Sequence, residues 1–70
     1  MKEFKHTFYS MKRQKQRGIT DMMIEEVLKY PDMLITTFDN RKVVTKEVNY
    51  RTITVVYIEK ENYIRIITLF

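Results

Sequence analysis

The hydrophobic positions follow a helical spacing in the first half of the chain and an alternating, strand-like spacing after Pro31. Between the two lies an amphipathic stripe whose members recur at i and i+4: Met23, Ile24, Val27 and Leu28. Thr20 is a good N-cap residue before this stripe. Pro31 ends it, because the residue before a proline is pushed toward extended geometry. The pattern predicts a helix over Asp21–Tyr30.

The segment before Gly18 predicts another helix, roughly from Thr7 to Arg17. Its apolar residues are crowded at the N-terminal end: Phe4, Phe8, Met11 and Tyr9. Its second half contains only Lys, Arg and Gln. Gly18, the single glycine of the chain, suits the left-handed residue that commonly follows the last turn of a helix.

The second half of the chain is rich in β-branched residues and predicts four strands. They are expected at Met33–Phe38, Lys42–Val48, Arg51–Ile58 and Tyr63–Phe70. Connections this short join neighbouring antiparallel strands. The prediction is therefore one α+β domain over residues 1–70, with two N-terminal helices packed on one face of a four-stranded antiparallel β-meander.

Composition excludes several classes of site. There is no cysteine and one histidine in 70 residues, so neither a disulfide framework nor a zinc centre is expected, and no cofactor is predicted. A chain this short leaves no room for an enclosed cofactor cavity. The longest apolar runs are too short to span a bilayer, and no signal-peptide pattern is present, so a cytoplasmic domain is expected.

The positive charge is concentrated at one end of the chain. The net charge is +4, and residues 1–17 hold six Lys or Arg against one Glu. On a helix, Tyr9, Arg13 and Arg17 fall on one ridge at i, i+4 and i+8, with Lys12 beside it. Two guanidiniums and a phenol in line could bind a phosphodiester and stack on a base. On charge alone, however, a helix that is basic for solubility and dipole reasons is the more common case.

The residues give only weak support for other catalytic arrangements. A Ser-His-Asp set would need Ser10 and His6, predicted one turn apart on the same helix, together with a distant acid, and nothing supplies an oxyanion hole. A single glycine excludes a glycine-rich phosphate loop. Three cations of the predicted sheet could join the basic helix if they face it: Lys46, Arg51 and Arg65.

The stretch from Tyr9 to Thr20 resembles the opening motif of a known family. That motif is His-Ala, then Arg three residues later, then Arg-Gly-Ile-Ser/Thr after three more, and it belongs to domain-of-unknown-function family 4258. The resemblance continues through the acidic helix ending before Pro31 and the strand segments 53–57 and 64–68. Tyr9 stands where the family has His, and Ser10 replaces Ala.

This family is linked to the RelE- and BrnT-like toxin superfamily, which contains many metal-free ribonucleases paired with antitoxins. The resemblance implies an RNA-directed surface and an acidic, antitoxin-like partner. Metal-free cleavage needs a base, an acid and cations for the phosphorane charge. Arg13, Arg17 and Lys12 would bind phosphate, while His6 and Tyr9 are the candidates for proton transfer. The residues leave open whether the protein cleaves RNA.

The alternative function is a non-catalytic protein-interaction module, such as a phage or mobile-element accessory protein. Its basic helix would dock an acidic partner. The predicted strands and turns hold many aromatic residues for so small a domain, and some of them must be partly exposed: Phe38, Tyr50, Tyr57, Tyr63 and Phe70. Such residues suit an interface, including a homodimer formed through a sheet edge.

Overall fold

A computed structural model describes residues 2–70. Two helices and five strands follow one another along the chain. Their bounds are β1 (Glu3–His6), α1 (Phe8–Arg17), α2 (Asp21–Lys29), β2 (Met33–Thr36), β3 (Lys42–Val48), β4 (Arg51–Glu59) and β5 (Tyr63–Leu69). In this part of the chain, neither helix has the length and apolar character needed to cross a membrane.

The sheet is mixed and five-stranded, in the order β1-β5-β4-β3-β2, so the predicted four-stranded antiparallel meander is wrong. The α+β class and the two helices are as predicted. The missed strand is β1, which pairs in parallel with β5, with Phe4 opposite Ile64 and His6 opposite Ile66. Four residues carry little periodic signal, and the strand's partner lies about 60 residues away. Only tertiary pairing reveals this strand.

One face of the sheet forms the core. Val44, Ile53 and Val55 alternate with half-exposed residues and are fully buried beneath α2, whose Ile24 and Val27 are also buried. The parallel register places Phe4 on this face beside Ile64, and Phe4 packs against the core. His6 lies on the same face and reaches both helices.

A β-bulge in β5 breaks the alternation of its buried and exposed residues. Val55 is opposite Leu69 and Tyr57 is opposite Ile66, so Ile67 is the extra residue of β5. The extra residue shifts the alternation by one, which lets Ile66 and Leu69 both point into the core.

The helix ends lie where capping chemistry predicts them. Thr7 caps α1 by accepting a hydrogen bond from the Ser10 N–H, and Thr20 caps α2 by accepting one from the Met23 N–H. Gly18 has φ 63° and ends α1 in the left-handed conformation. Phe4, which the sequence grouped with the apolar residues of the first helix, belongs instead to β1.

Candidate nucleic-acid interface

Helix α1 presents four cations that have no ion-pair partner among residues 2–70. These are Lys12, Arg13, Lys15 and Arg17, hereafter the α1 cationic surface. Ser10 is the only buried residue of the helix. The helix therefore rests on the sheet by a narrow contact and leaves most of its circumference to solvent.

Tyr9 and Arg13 lie in contact on this helix. The guanidinium carbon of Arg13 is 5.9 Å from the centre of the Tyr9 ring, within cation–π range. The Tyr9 side chain is exposed, whereas Arg13 is half-buried. The Nε atom of Arg13 is buried and has no hydrogen-bond partner in the described chain. A phosphate would therefore be bound by the terminal nitrogens of this guanidinium.

Arg17 is exposed at the C-terminal end of α1, where Arg51 from β4 joins it. The Arg51 Nη2 atom donates a hydrogen bond of 2.5 Å to the Arg17 carbonyl oxygen. This contact brings a sheet cation to the end of the α1 cationic surface. Lys46 instead forms an ion pair of 3.7 Å with Asp32. Arg65 lies opposite Lys5 and alternates with buried Ile64 and Ile66, which places it on the sheet face away from the helices.

Two apolar residues of α1 are exposed beside these cations, a feature that the sequence analysis missed. Phe8 is 85% exposed and Met11 is 53% exposed. The spacing Phe8, Met11, Lys12 and Lys15 places an aromatic and a thioether on the same helix face as two ammonium groups. Interleaved apolar and basic side chains of this kind bind nucleic-acid bases and backbone together.

His6 lies in β1, not in α1, and forms a hydrogen-bonded cluster with both helices. Its Nδ1 atom is 2.9 Å from the Ser10 hydroxyl, and its Nε2 atom is 3.2 Å from Oδ1 of Asp21. Gln14 donates a second hydrogen bond, of 2.6 Å, to the same carboxylate oxygen. The hydrogen bonds from Gln14 and then from His6 lower the pKa of Asp21 below its ordinary value, so the carboxylate stays ionised.

The cluster separates His6 from the α1 cationic surface. Both ring nitrogens already have partners, so neither is free to accept a proton from a ribose hydroxyl in this arrangement. The groove beside His6 is lined by the β1 and α2 segments and by none of the α1 cations: Lys2, Glu3, Phe4, His6, Asp21, Glu25 and Lys29. The structure therefore joins Tyr9 with Arg13, and places His6 in a different, carboxylate-bearing groove.

Ser10, His6 and Asp21 have the connectivity of a serine hydrolase triad, with Asp21 as the acid that the sequence analysis could not identify. The serine is fully buried, however, and its hydroxyl also lies 3.0 Å from the Thr7 carbonyl oxygen. An enclosed hydroxyl cannot attack a substrate. The hydrogen bonds of this cluster connect β1 to both helices. Among residues 2–70 no three His, Asp or Glu side chains gather as a metal site requires.

Comparison with known proteins gives one family. The family model described as Domain of unknown function (DUF4258) matches residues 10–70, which include the α1 cationic surface, α2 and strands β2 to β5. No curated protein and no solved structure matches the chain. The match begins at Ser10, so β1 and the N-cap of α1 lie outside it.

Proposed function

This chain belongs to the DUF4258 family, and on that premise we propose that it binds single-stranded RNA through the α1 cationic surface. The supporting observation is the contrast between α1 and the rest of the molecule. Five of the nine Lys and Arg residues outside α1 form ion pairs, whereas none of the four in α1 does so among the described residues. Unneutralised cations on one helix attract a polyanion.

The geometry of the individual groups fits a phosphodiester strand. Arginine forks bind phosphate oxygens, and Tyr9 offers an exposed ring next to Arg13 on which a base can stack. The link that the family resemblance implies to the RelE- and BrnT-like toxin superfamily favours RNA over DNA in this proposal. It also makes a metal-free ribonuclease activity part of the hypothesis, with Tyr9 as the proton-transfer residue nearest the cations. Because both nitrogens of His6 have partners, the arrangement supports binding more strongly than cleavage.

The test is binding of a fluorescein-labelled single-stranded RNA of about 12 nucleotides, measured by fluorescence anisotropy. Affinity should fall steeply between about 50 and about 200 mM salt, because each bound phosphate releases counterions. Arg13→Ala and Arg17→Ala should each weaken binding to every sequence and reduce the salt slope by about 0.7 to 1. Lys60→Ala, which removes an exposed cation at the far end of β4, should change neither quantity.

If both arginine variants bind the RNA with the wild-type salt slope, α1 is not the interface. Cleavage is tested separately, by incubating total RNA with the protein in EDTA. Fragments produced by the wild-type protein but not by Tyr9→Phe would assign a catalytic role to Tyr9. Fragments that persist when His6 and Tyr9 are both replaced would assign the chemistry to other groups.

A second candidate function is protein interaction through the edge of the sheet, and it rests on β2. All four residues of this edge strand are exposed, including Met33, Leu34 and Ile35. An apolar edge with unpaired backbone groups can pair with the same edge of a second copy. Sedimentation at increasing concentration would show such a homodimer, and Leu34→Pro should abolish it. An acidic, antitoxin-like protein would instead compete with RNA for the α1 cationic surface.

A further inference from the structure

The hairpin between β3 and β4 has an unusual residue at its tip. Asn49 and Tyr50 connect Val48 to Arg51 in a two-residue turn, and both have positive φ, 54° and 65°. A turn with positive φ at both central residues strongly prefers Asn-Gly, because a side chain at the second position is strained. Here tyrosine, a bulky residue, occupies the glycine position.

Packing against residues 2–70 does not compensate for this strain. The Tyr50 side chain is 99% exposed and therefore makes almost no packing contact with the described residues. Residues held in strained backbone conformations cluster at active and ligand-binding sites. Tyr50 thus presents a phenol ring to solvent at a conformational cost.

The hairpin tip lies beside the end of the α1 cationic surface. Arg51, the next residue, donates its hydrogen bond to the Arg17 carbonyl oxygen. Asn49, the preceding residue, lines a groove with Thr20, two residues after Gly18. Arg51 therefore contacts the end of α1, and Asn49 lines the groove that the beginning of α2 also lines.

The charges on the two sides of the tip differ. The α2 side of the groove carries Glu25, Glu26 and Lys29. Lys29 forms an ion pair of 3.0 Å with Glu25, which leaves the carboxylate of Glu26 to repel phosphates. The α1 side carries Arg17 and the guanidinium of Arg51, and no carboxylate forms an ion pair with either among residues 2–70. A polyanionic strand is therefore directed to the α1 side of Tyr50.

We propose that Tyr50 is a base-stacking residue that extends the RNA interface of α1 onto the β3–β4 hairpin. This inference rests on the proposed RNA binding. The backbone of the strand would follow Arg13 and Arg17, and a base beyond Arg17 would stack on the Tyr50 ring. Stacking on an aromatic side chain tolerates any base, so this contact adds affinity without sequence preference.

The proposal predicts opposite effects of one substitution on stability and on binding. Tyr50→Gly should raise the urea midpoint of unfolding, because glycine adopts the turn without strain. The same variant should bind the labelled RNA at least about fivefold more weakly, because a stacking contact is lost. Its salt slope should equal that of the wild type, since no phosphate contact is removed. Tyr50→Phe should bind like the wild type.

The matched control is Phe38→Ala, which removes another fully exposed aromatic ring at the hairpin on the opposite end of β3. It should leave RNA affinity unchanged. If Arg17→Ala weakens binding and Tyr50→Gly does not, the stacking role is refuted while the proposed function stands. If Tyr50→Gly lowers the urea midpoint, the ring has a structural role and the inference also fails. If the wild-type protein binds no RNA at either salt concentration, the proposed function and this inference are both refuted.

Discussion

Gly18 decides where α1 ends and how the chain turns into α2. Its φ is 63°, and its N–H donates to carbonyl oxygens of the last turn of α1. Apart from the adjoining residues of the chain, no described atom lies within 4 Å of the position that a Cβ would occupy, so the demand for glycine comes from the backbone and not from crowding. The following residue, Ile19, is 3% exposed and returns the chain to the core.

Gly18→Ala should therefore destabilise the fold by about 1 kcal/mol, the usual cost of a left-handed alanine. Gly18→Asn should cost less, because asparagine tolerates this conformation better than other non-glycine residues. Urea unfolding followed by far-ultraviolet circular dichroism measures both. Equal losses for the two variants would show that space, not backbone conformation, limits this position.

At the scale of elements, Thr7 joins the beginning of α1 to the bulge of β5. Its hydroxyl accepts a hydrogen bond from the Ser10 N–H and lies 3.2 Å from the carbonyl oxygen of Ile67, the extra residue of the bulge, to which it donates. The Thr7 N–H donates to the Ile66 carbonyl oxygen. Thr7 thus caps the helix, donates a hydrogen bond to the carbonyl oxygen at the bulge and continues the β1–β5 pairing.

Thr7→Ala should destabilise the protein by about 1 to 2 kcal/mol, at the upper part of the range for a lost N-cap, because two hydrogen bonds depend on the hydroxyl. Thr7→Ser keeps the hydroxyl and should retain most of the stability. Chemical denaturation of the three proteins at one pH gives the comparison. A Thr7→Ser variant as unstable as Thr7→Ala would assign the effect to the lost methyl group.

At the scale of the whole molecule, Glu59 connects β4 to β3 and to the segment that precedes β1. Its carboxylate accepts hydrogen bonds from Lys42 of β3 at 2.8 Å and from Lys2, which precedes β1, at 3.0 Å. These two ammonium groups, Lys42 foremost, lower the pKa of Glu59 from 4.5 to about 2. Because the folded pKa lies below the unfolded one, the ionised carboxylate stabilises the folded state above about pH 4.5.

This stabilisation should be lost as the pH falls from about 4.5 to about 2, where the folded state also becomes protonated. The free energy of unfolding of Glu59→Gln should accordingly be lower than that of the wild type at pH 7 and equal to it at about pH 2. The difference at pH 7 is expected to be small because the side chains of Glu59, Lys2 and Lys42 are each 33–38% exposed and solvent screens the charges. Glu61→Gln, an exposed neighbour without an ion pair in the described chain, is the control. A difference that does not change with pH would assign the effect to side-chain shape.

Local chemistry was enough to predict most element boundaries. Helix α2 ends one residue earlier than expected, β3 matches its predicted bounds, and Thr20 and Gly18 have their predicted capping roles. Each of these depends on a residue and its near neighbours in the chain. The strand β1 and the location of His6 could not be predicted in this way, because both depend on pairing with β5.

The candidate site, like the fold, could be predicted only where it depends on residues close together in the chain. The sequence placed four cations without a nearby acid on one short helix, and helical spacing alone set Tyr9 next to Arg13. The contact between Arg51 and Arg17 joins residues 34 positions apart. The location of His6 likewise depends on distant residues, since it pairs with Ile66 and reaches Asp21. The sequence by itself determined the two helices, four of the five strands and the charge of α1, because these follow from neighbouring side chains and backbone preferences. The tertiary structure alone decided the fifth strand, the bulge and the contacts between distant polar groups, such as His6 with Asp21, because these depend on how distant segments pack.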